Sequence, residues 1–157
     1  MNLRFRGAYQ VRVLRPDGSV RVETEFFDNL ITNSGLDWLG GGTYSPAAFV
    51  TTGTTPPVVG DTGVSGTILG YISGYATSSD FVHVTTLPNY GQRTHTFTFA
   101  VGGVIGAISE LAIGTGSLSG VTRLFSRALI TNSGGTPITI TLTATDQLQI
   151  VYIFRQY

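Results

Sequence analysis

Apolar and polar side chains alternate with period two along most of this chain. In residues 3–14 (LRFRGAYQVRVL), Leu3, Phe5, Tyr9, Val11 and Val13 fall on one face and Arg4, Arg6, Gln10 and Arg12 on the other. That is the pattern of a half-buried strand. Arg15-Pro16-Asp17-Gly18 supplies a turn, with Pro presetting φ and Gly free to go left-handed. Residues 19–27 (SVRVETEFF) alternate again: Val20, Val22, Thr24 and Phe26 oppose Arg21, Glu23 and Glu25. The two runs predict an antiparallel hairpin whose outer face pairs arginine with glutamate across strands.

Residues 28–39 (DNLITNSGLDWL) change character and predict one short helix near 33–39, capped by Asn33 or Ser34 and carrying Leu36, Trp38 and Leu39. A helix this short must pack on something, and Trp38 reads as a core plug at the end of the sheet. Gly40-Gly41-Gly42 ends it. From there to about residue 80 the only charges are Asp61 and Asp80. Residues 47–54 (AAFVTTGT) read as a strand and 54–66 as an irregular loop set by Pro56-Pro57. Residues 67–79 fit helix or strand, and the glycines at 70 and 74 favour strand.

The second half is strand after strand. FVHVTTL (81–87) meets RTHTFTFAV (93–101) across a Pro88-Asn89-Tyr90-Gly91 turn, with Thr94, Thr96 and Thr98 opposing His95, Phe97 and Phe99. Residues 107–115, 121–130, 136–144 and 147–156 follow, and Thr145-Asp146 closes the last hairpin. Short strands with no helical segments between them predict an all-β fold. It is an antiparallel, jelly-roll-like β-sandwich in one domain, 1–157, with a neutral Gly/Thr/Pro-rich loop at about 40–66.

Composition sharpens this. All nine basic residues are arginine, 23 residues are threonine, cysteine is absent, formal net charge is zero and only 11% of residues are charged. Soluble domains usually carry about 25%, so neighbouring subunits are expected to cover much of the surface. No basic stripe exists for nucleic acid. The opening MNLRFRGAYQ lacks the apolar region of a secretory leader, and no apolar run reaches membrane-spanning length.

Candidate chemistry is thin. His83 and His95 lie on neighbouring strands and could face each other with Asp80 nearby, but a stable metal site needs three or four ligands. Glu23 and Glu25 look like solvated partners of arginines. Glu110, inside the apolar ISELAIG, needs a partner if buried, and Arg123 or Arg127 on the next strand is the obvious one. No nucleophile elbow or phosphate loop occurs; Asn33-Ser34-Gly35 and Asn132-Ser133-Gly134 are cap or turn sequences. No catalytic, cofactor-binding or metal-ligating residue is assigned, and no cofactor is expected.

Three segments taken in order carry a resemblance: the hairpin running into FFDNLITNSGLDWL; TTGTTPPVVGDTGVSG; and ISELAIG, LFSRALI, a Thr-rich strand and TDQLQIVYIFRQY. Together they resemble small structural proteins of tailed bacteriophage virions, of tail, fibre and collar type. The resemblance implies a non-enzymatic virion subunit of the tail, neck, collar or baseplate, made in the bacterial host cytoplasm. Its partners would be other virion proteins and further copies of itself, with no nucleic acid or membrane. The 40–66 loop is then the expected docking arm, since it has few means of stabilising itself, and deleting Gly53–Gly63 should spare folding. Three alternatives stand beside this. One is a cement protein decorating the capsid. Another is a receptor- or glycan-binding tip using Tyr71, Tyr75 or Tyr90. The third is an enzyme needing a carboxylate pair in a cleft, for which the second half offers only Glu110 and Asp146.

Overall fold

The computed structural model describes residues 4–41, 46–74, 77–78, 82–85 and 89–157. Among the described residues, thirteen strands and one helix run in the order β1 (Phe5–Leu14), β2 (Val20–Glu23), β3 (Phe27–Ile31), α1 (Asn33–Gly41), β4 (Ala47–Thr51), β5 (Ile68–Ser73), β6 (Thr77–Ser78), β7 (Val82–Val84), β8 (Tyr90–Thr98), β9 (Gly106–Ile108), β10 (Glu110–Ser117), β11 (Gly120–Leu129), β12 (Ile140–Leu142) and β13 (Gln147–Gln156). Eleven strands form one antiparallel sheet with the path β5-β4-β10-β11-β3-β1-β13-β8-β6, β2 pairing with β1 and β7 with β8. The sheet curls into a half-barrel, and β9 and β12 form a second, two-stranded sheet. The fold is therefore all-β, antiparallel and sandwich-like, with an N-terminal hairpin and one short helix.

The alternation places the core. Tyr9, Val11 and Val13 on β1, His95 and Phe97 on β8, Phe99 just past it, and Leu148, Ile150 and Tyr152 on β13 all point inward. Ile108, Ile140 and Leu142 meet them from the second sheet. Tyr9, Tyr152 and His95 sit side by side across three strands, with the Tyr9 and Tyr152 rings 5.1 Å apart. The β4 and β10 strands are buried on both faces: Ala48, Val50, Leu111 and Ile113 join the main core, while Phe49 and Ala112 form a smaller outer cluster with Leu124.

Several expectations need correction. The second strand stops at Glu23. There Thr24 turns its hydroxyl onto the Val11 amide (2.9 Å) and its own amide onto the Val11 carbonyl (3.0 Å). This reverses the phase, so that Phe27 enters the core at 8% exposure while Phe26 is left 47% exposed. The helix cap is Thr32, whose Oγ1 accepts the Gly35 amide at 3.0 Å while donating to the Leu124 carbonyl at 2.7 Å. Tyr90 and Gly91 belong to β8, where Gly91 lies opposite His83, so they do not form the turn. The run 107–115 breaks at Ser109: its two halves join different sheets. Thr145-Asp146 closes no hairpin either, because β12 pairs with β9 and β13 with β1 and β8.

Trp38 packs edge-on against Phe125 at 5.9 Å and is 6% exposed. Gly35 permits that docking, since a Cβ there would meet the Phe125 backbone carbonyl.

Candidate functional site

The neutral stretch expected to be a loose arm is anchored. Residues 42–45 of it lie outside the described residues, and Ala47–Thr51 form β4, an interior strand of the sheet. The loop after it folds over the outer faces of β10 and β11, onto two buried charges. Glu110 opens β10 and is 0% exposed; Arg127 on β11 is 3% exposed. Arg127 Nε lies 2.8 Å from Glu110 Oε1, which settles the choice between Arg123 and Arg127. The same guanidinium reaches Asp61 Oδ2 at 3.0 Å and donates to the Thr55 carbonyl. Glu110 in turn accepts the Ser65 amide at 3.0 Å and the Thr51 hydroxyl. Gly53 carries no Cβ because the Glu110 carboxylate fills that space. A buried charge is tolerated when it is paired and its remaining hydrogen-bonding positions are filled. Both charges are paired here, and the loop supplies Thr55 and Asp61 to Arg127 and Ser65 to Glu110.

Clasped at its base, the loop presents its tip. Val58 and Val59 are 58% and 53% exposed. A turn holds them, in which Asp61 Oδ2 accepts the Val58 amide at 2.8 Å. The Val59 carbonyl accepts the Asn33 amide at 2.9 Å, tying the tip to the first turn of α1, where Leu36 is also exposed.

A second polar hub is Asp146, read in the sequence as a turn residue and as one of two carboxylates open to an enzyme. It is 5% exposed and takes a two-pronged contact from Arg21, Nε to Oδ1 at 3.0 Å and Nη2 to Oδ2 at 2.8 Å. The Thr143 amide and hydroxyl donate to it at 2.8 and 2.9 Å. These bonds, the Thr143 amide first and Arg21 after it, hold its carboxyl below the usual aspartate range. Glu110 and Asp146 thus serve separate arginines. Glu23 pairs with Arg12 at 2.7 Å as the hairpin pattern anticipated.

His83 and His95 are not brought together. His83 is exposed and faces Gly91, whereas His95 is buried and faces Ser78 and Tyr152. Asp80 and Tyr75 lie outside the described residues. Among those described, no three metal-capable side chains gather, and no helix is long and apolar enough to cross a membrane. Tyr71 is half-buried against Phe49, with ring centres 5.1 Å apart. Tyr90 is half-buried between Tyr157, at 5.3 Å, and the Arg155 guanidinium, 5.1 Å from its ring centre.

Burial strips water from the His95 imidazole and the charge on Arg93 opposes its protonation, so its pKa falls to about 4. An unfolded histidine titrates near ~6.5. Between those values the unfolded chain binds the extra proton, so stability is full above pH ~6.5 and is lost as pH falls towards ~4. The expected loss is on the order of 3 kcal/mol. Urea midpoints measured at intervals across that range should fall steeply for the wild type and weakly for His95→Gln. Parallel slopes would refute the assignment.

Some of the surface groups outside these networks lie along one flank. Arg4, Phe5, Arg6 and Tyr157 line a cleft of about 540 Å³ at the start of β1. Arg6 and Arg155 lie directly opposite each other across β1 and β13, an arrangement of like charges that costs stability. Further along, Glu25, Phe26 and Asp28 line a separate cleft of about 330 Å³ with Thr131–Ser133 and Gly135. Sequence reading missed this flank, because facing arginines show only once register is known.

No protein-family model matches the chain, and neither a curated protein nor a solved structure matches it.

Proposed function

We propose that this chain is a non-enzymatic structural subunit of a tailed-phage virion, a tail, neck, collar or baseplate component that acts by protein–protein assembly. The observation that carries the assembly role is a surface with few charges and several exposed apolar side chains: 11% of residues are charged, and Phe26, Val58, Val59 and Leu118 are 47%, 58%, 53% and 62% exposed. Solitary domains keep charges outside for solubility and limit exposed apolar area. A subunit whose faces are covered by neighbours has the opposite need. The phage assignment rests on the ordered resemblance of the three segments.

The test is quantitative mass spectrometry of gradient-purified particles from the phage that encodes the chain. The expected result is the chain in stoichiometric amount, at the copy number of a ring or appendage. A copy number matching the capsid lattice would favour the cement reading instead, and absence from particles would overturn the proposal.

A further inference from the structure

We propose that the Glu25–Phe26 ridge of one chain docks in the arginine-lined cleft at the start of β1 in a second copy, joining two chains about a two-fold axis. The proposal deepens the assembly reading and rests on it.

The ridge is the first observation. Strand alternation would have turned Phe26 inward, and the phase reversal at Thr24 turns it out, 47% exposed. Glu25, also exposed, stands next to it and makes no ion pair among the described residues. An exposed ring flanked by an unpaired carboxylate is a compact mixed anchor: the ring supplies apolar area and the acid supplies direction.

The cleft has the complementary chemistry. Among the described residues, two arginines and two aromatic residues line about 540 Å³, room enough for a phenyl side chain. Arg4 and Arg6 are both exposed and make no ion pair among the described residues. Arg155, opposite Arg6, leans on Tyr90 and donates to Gln92 at 2.8 Å. Asp28 shares a small hollow with Arg6 and Arg155, one acid against three arginines at this end. The chain as a whole is neutral, and among the exposed acids of the described residues Glu25 is the one beside an exposed ring. A carboxylate matches the guanidinium fork, and a guanidinium stacks favourably on a phenyl face.

Symmetry follows from the register. Tyr9 lies opposite Phe27 and Gly7 opposite Asn29, which puts the ridge beside the middle of β1 and the cleft at its start. At strand spacing the two are roughly 15–20 Å apart along one flank. Rotating a second copy by half a turn about an axis between them seats each ridge in the other's cleft. Both contacts form at once and the assembly closes as a dimer.

Sedimentation velocity of the purified chain across a concentration series, in low and high salt, reads this directly. The expected result is a monomer–dimer equilibrium weakened by salt. Phe26→Ala should weaken it on the order of thirtyfold. The double substitution Arg4→Glu with Arg6→Glu should abolish the dimer, as should Glu25→Arg. All of these positions are exposed, so unchanged urea midpoints would verify folding. Mixing the two charge-reversed variants should restore a one-to-one dimer, since each now carries the other's complement. A chain that stays monomeric at every concentration overturns the proposal, as does a dimer indifferent to both reversals. Neither result touches the virion reading, which the particle analysis decides separately: a chain found in particles yet monomeric in solution loses the ridge-in-cleft contact alone.

Discussion

Replacing Arg127 by Met should lower the unfolding free energy by about 3–5 kcal/mol, a large share of what holds a domain of this size. The substitution leaves Glu110, 0% exposed, with no cation beside it, and frees Asp61 and the Thr55 carbonyl that the guanidinium holds. The cost comes from the stranded carboxylate rather than from the lost attraction. Removing both charges, as Glu110→Leu with Arg127→Met, should therefore recover most of the loss, because an apolar pair of similar volume carries no desolvation penalty. Urea unfolding of the three proteins would measure this. An Arg127→Met variant within about 1 kcal/mol of wild type would mean that water reaches Glu110. The same geometry reverses the expectation for deleting Gly53–Gly63. That deletion removes Thr55 and Asp61 from the guanidinium at once and uncovers the buried pair, so it should destabilise the fold rather than spare it.

Phe125→Ala should cost about 3–5 kcal/mol, the range for emptying a buried phenylalanine site. Phe125 is 0% exposed and packs on Trp38 edge-on at 5.9 Å, on Phe154 at 5.8 Å and on Tyr152 at 6.5 Å. It lies between the helix and the sheet interior, so the cavity would loosen both. Trp38 is the chain's only tryptophan, and its emission should shift to longer wavelength as the helix loses its seat. A variant with wild-type stability and emission would show that Trp38 and Phe154 close the gap.

Strands that keep one face in the core were legible from residue order. The run Phe5–Leu14 and the Thr94–Phe99 segment alternate as written and bury the expected side. Legibility failed where one strand serves two neighbours. Phe27–Ile31 pairs with β1 through its first three residues and with β11 through its last two, so no single face stays buried and no period shows. The break at Ser109 was hidden for a related reason: the Ser109 amide binds the Thr51 carbonyl and its own carbonyl binds the Ile130 amide, a corner that leaves the apolar run unbroken on paper. At the clasp, burial within an apolar strand pointed to Glu110, and the next strand offered Arg123 or Arg127, between which only the register and the fold decide. Asp61 and Ser65 could not be found this way, because a loop that returns to the sheet does so without periodicity. Arg21 and Asp146, 125 positions apart, were invisible for the same reason.

The pairing of β1 with β13 has a consequence for how the chain is made. The first strand lies against the last from Phe5 opposite Gln156 to Leu14 opposite Gln147, in the interior of the large sheet. Its β13 side has no substitute partner while the chain is being synthesised. Contacts this distant in sequence give slow, late folding. The half-barrel therefore completes only after residues 147–156 have left the ribosome, and until then β1, whose Tyr9, Val11 and Val13 belong in the core, waits with one edge open. Such an edge is where nascent chains aggregate, so the yield of native protein in a cell depends on how quickly the last ten residues of β13 arrive.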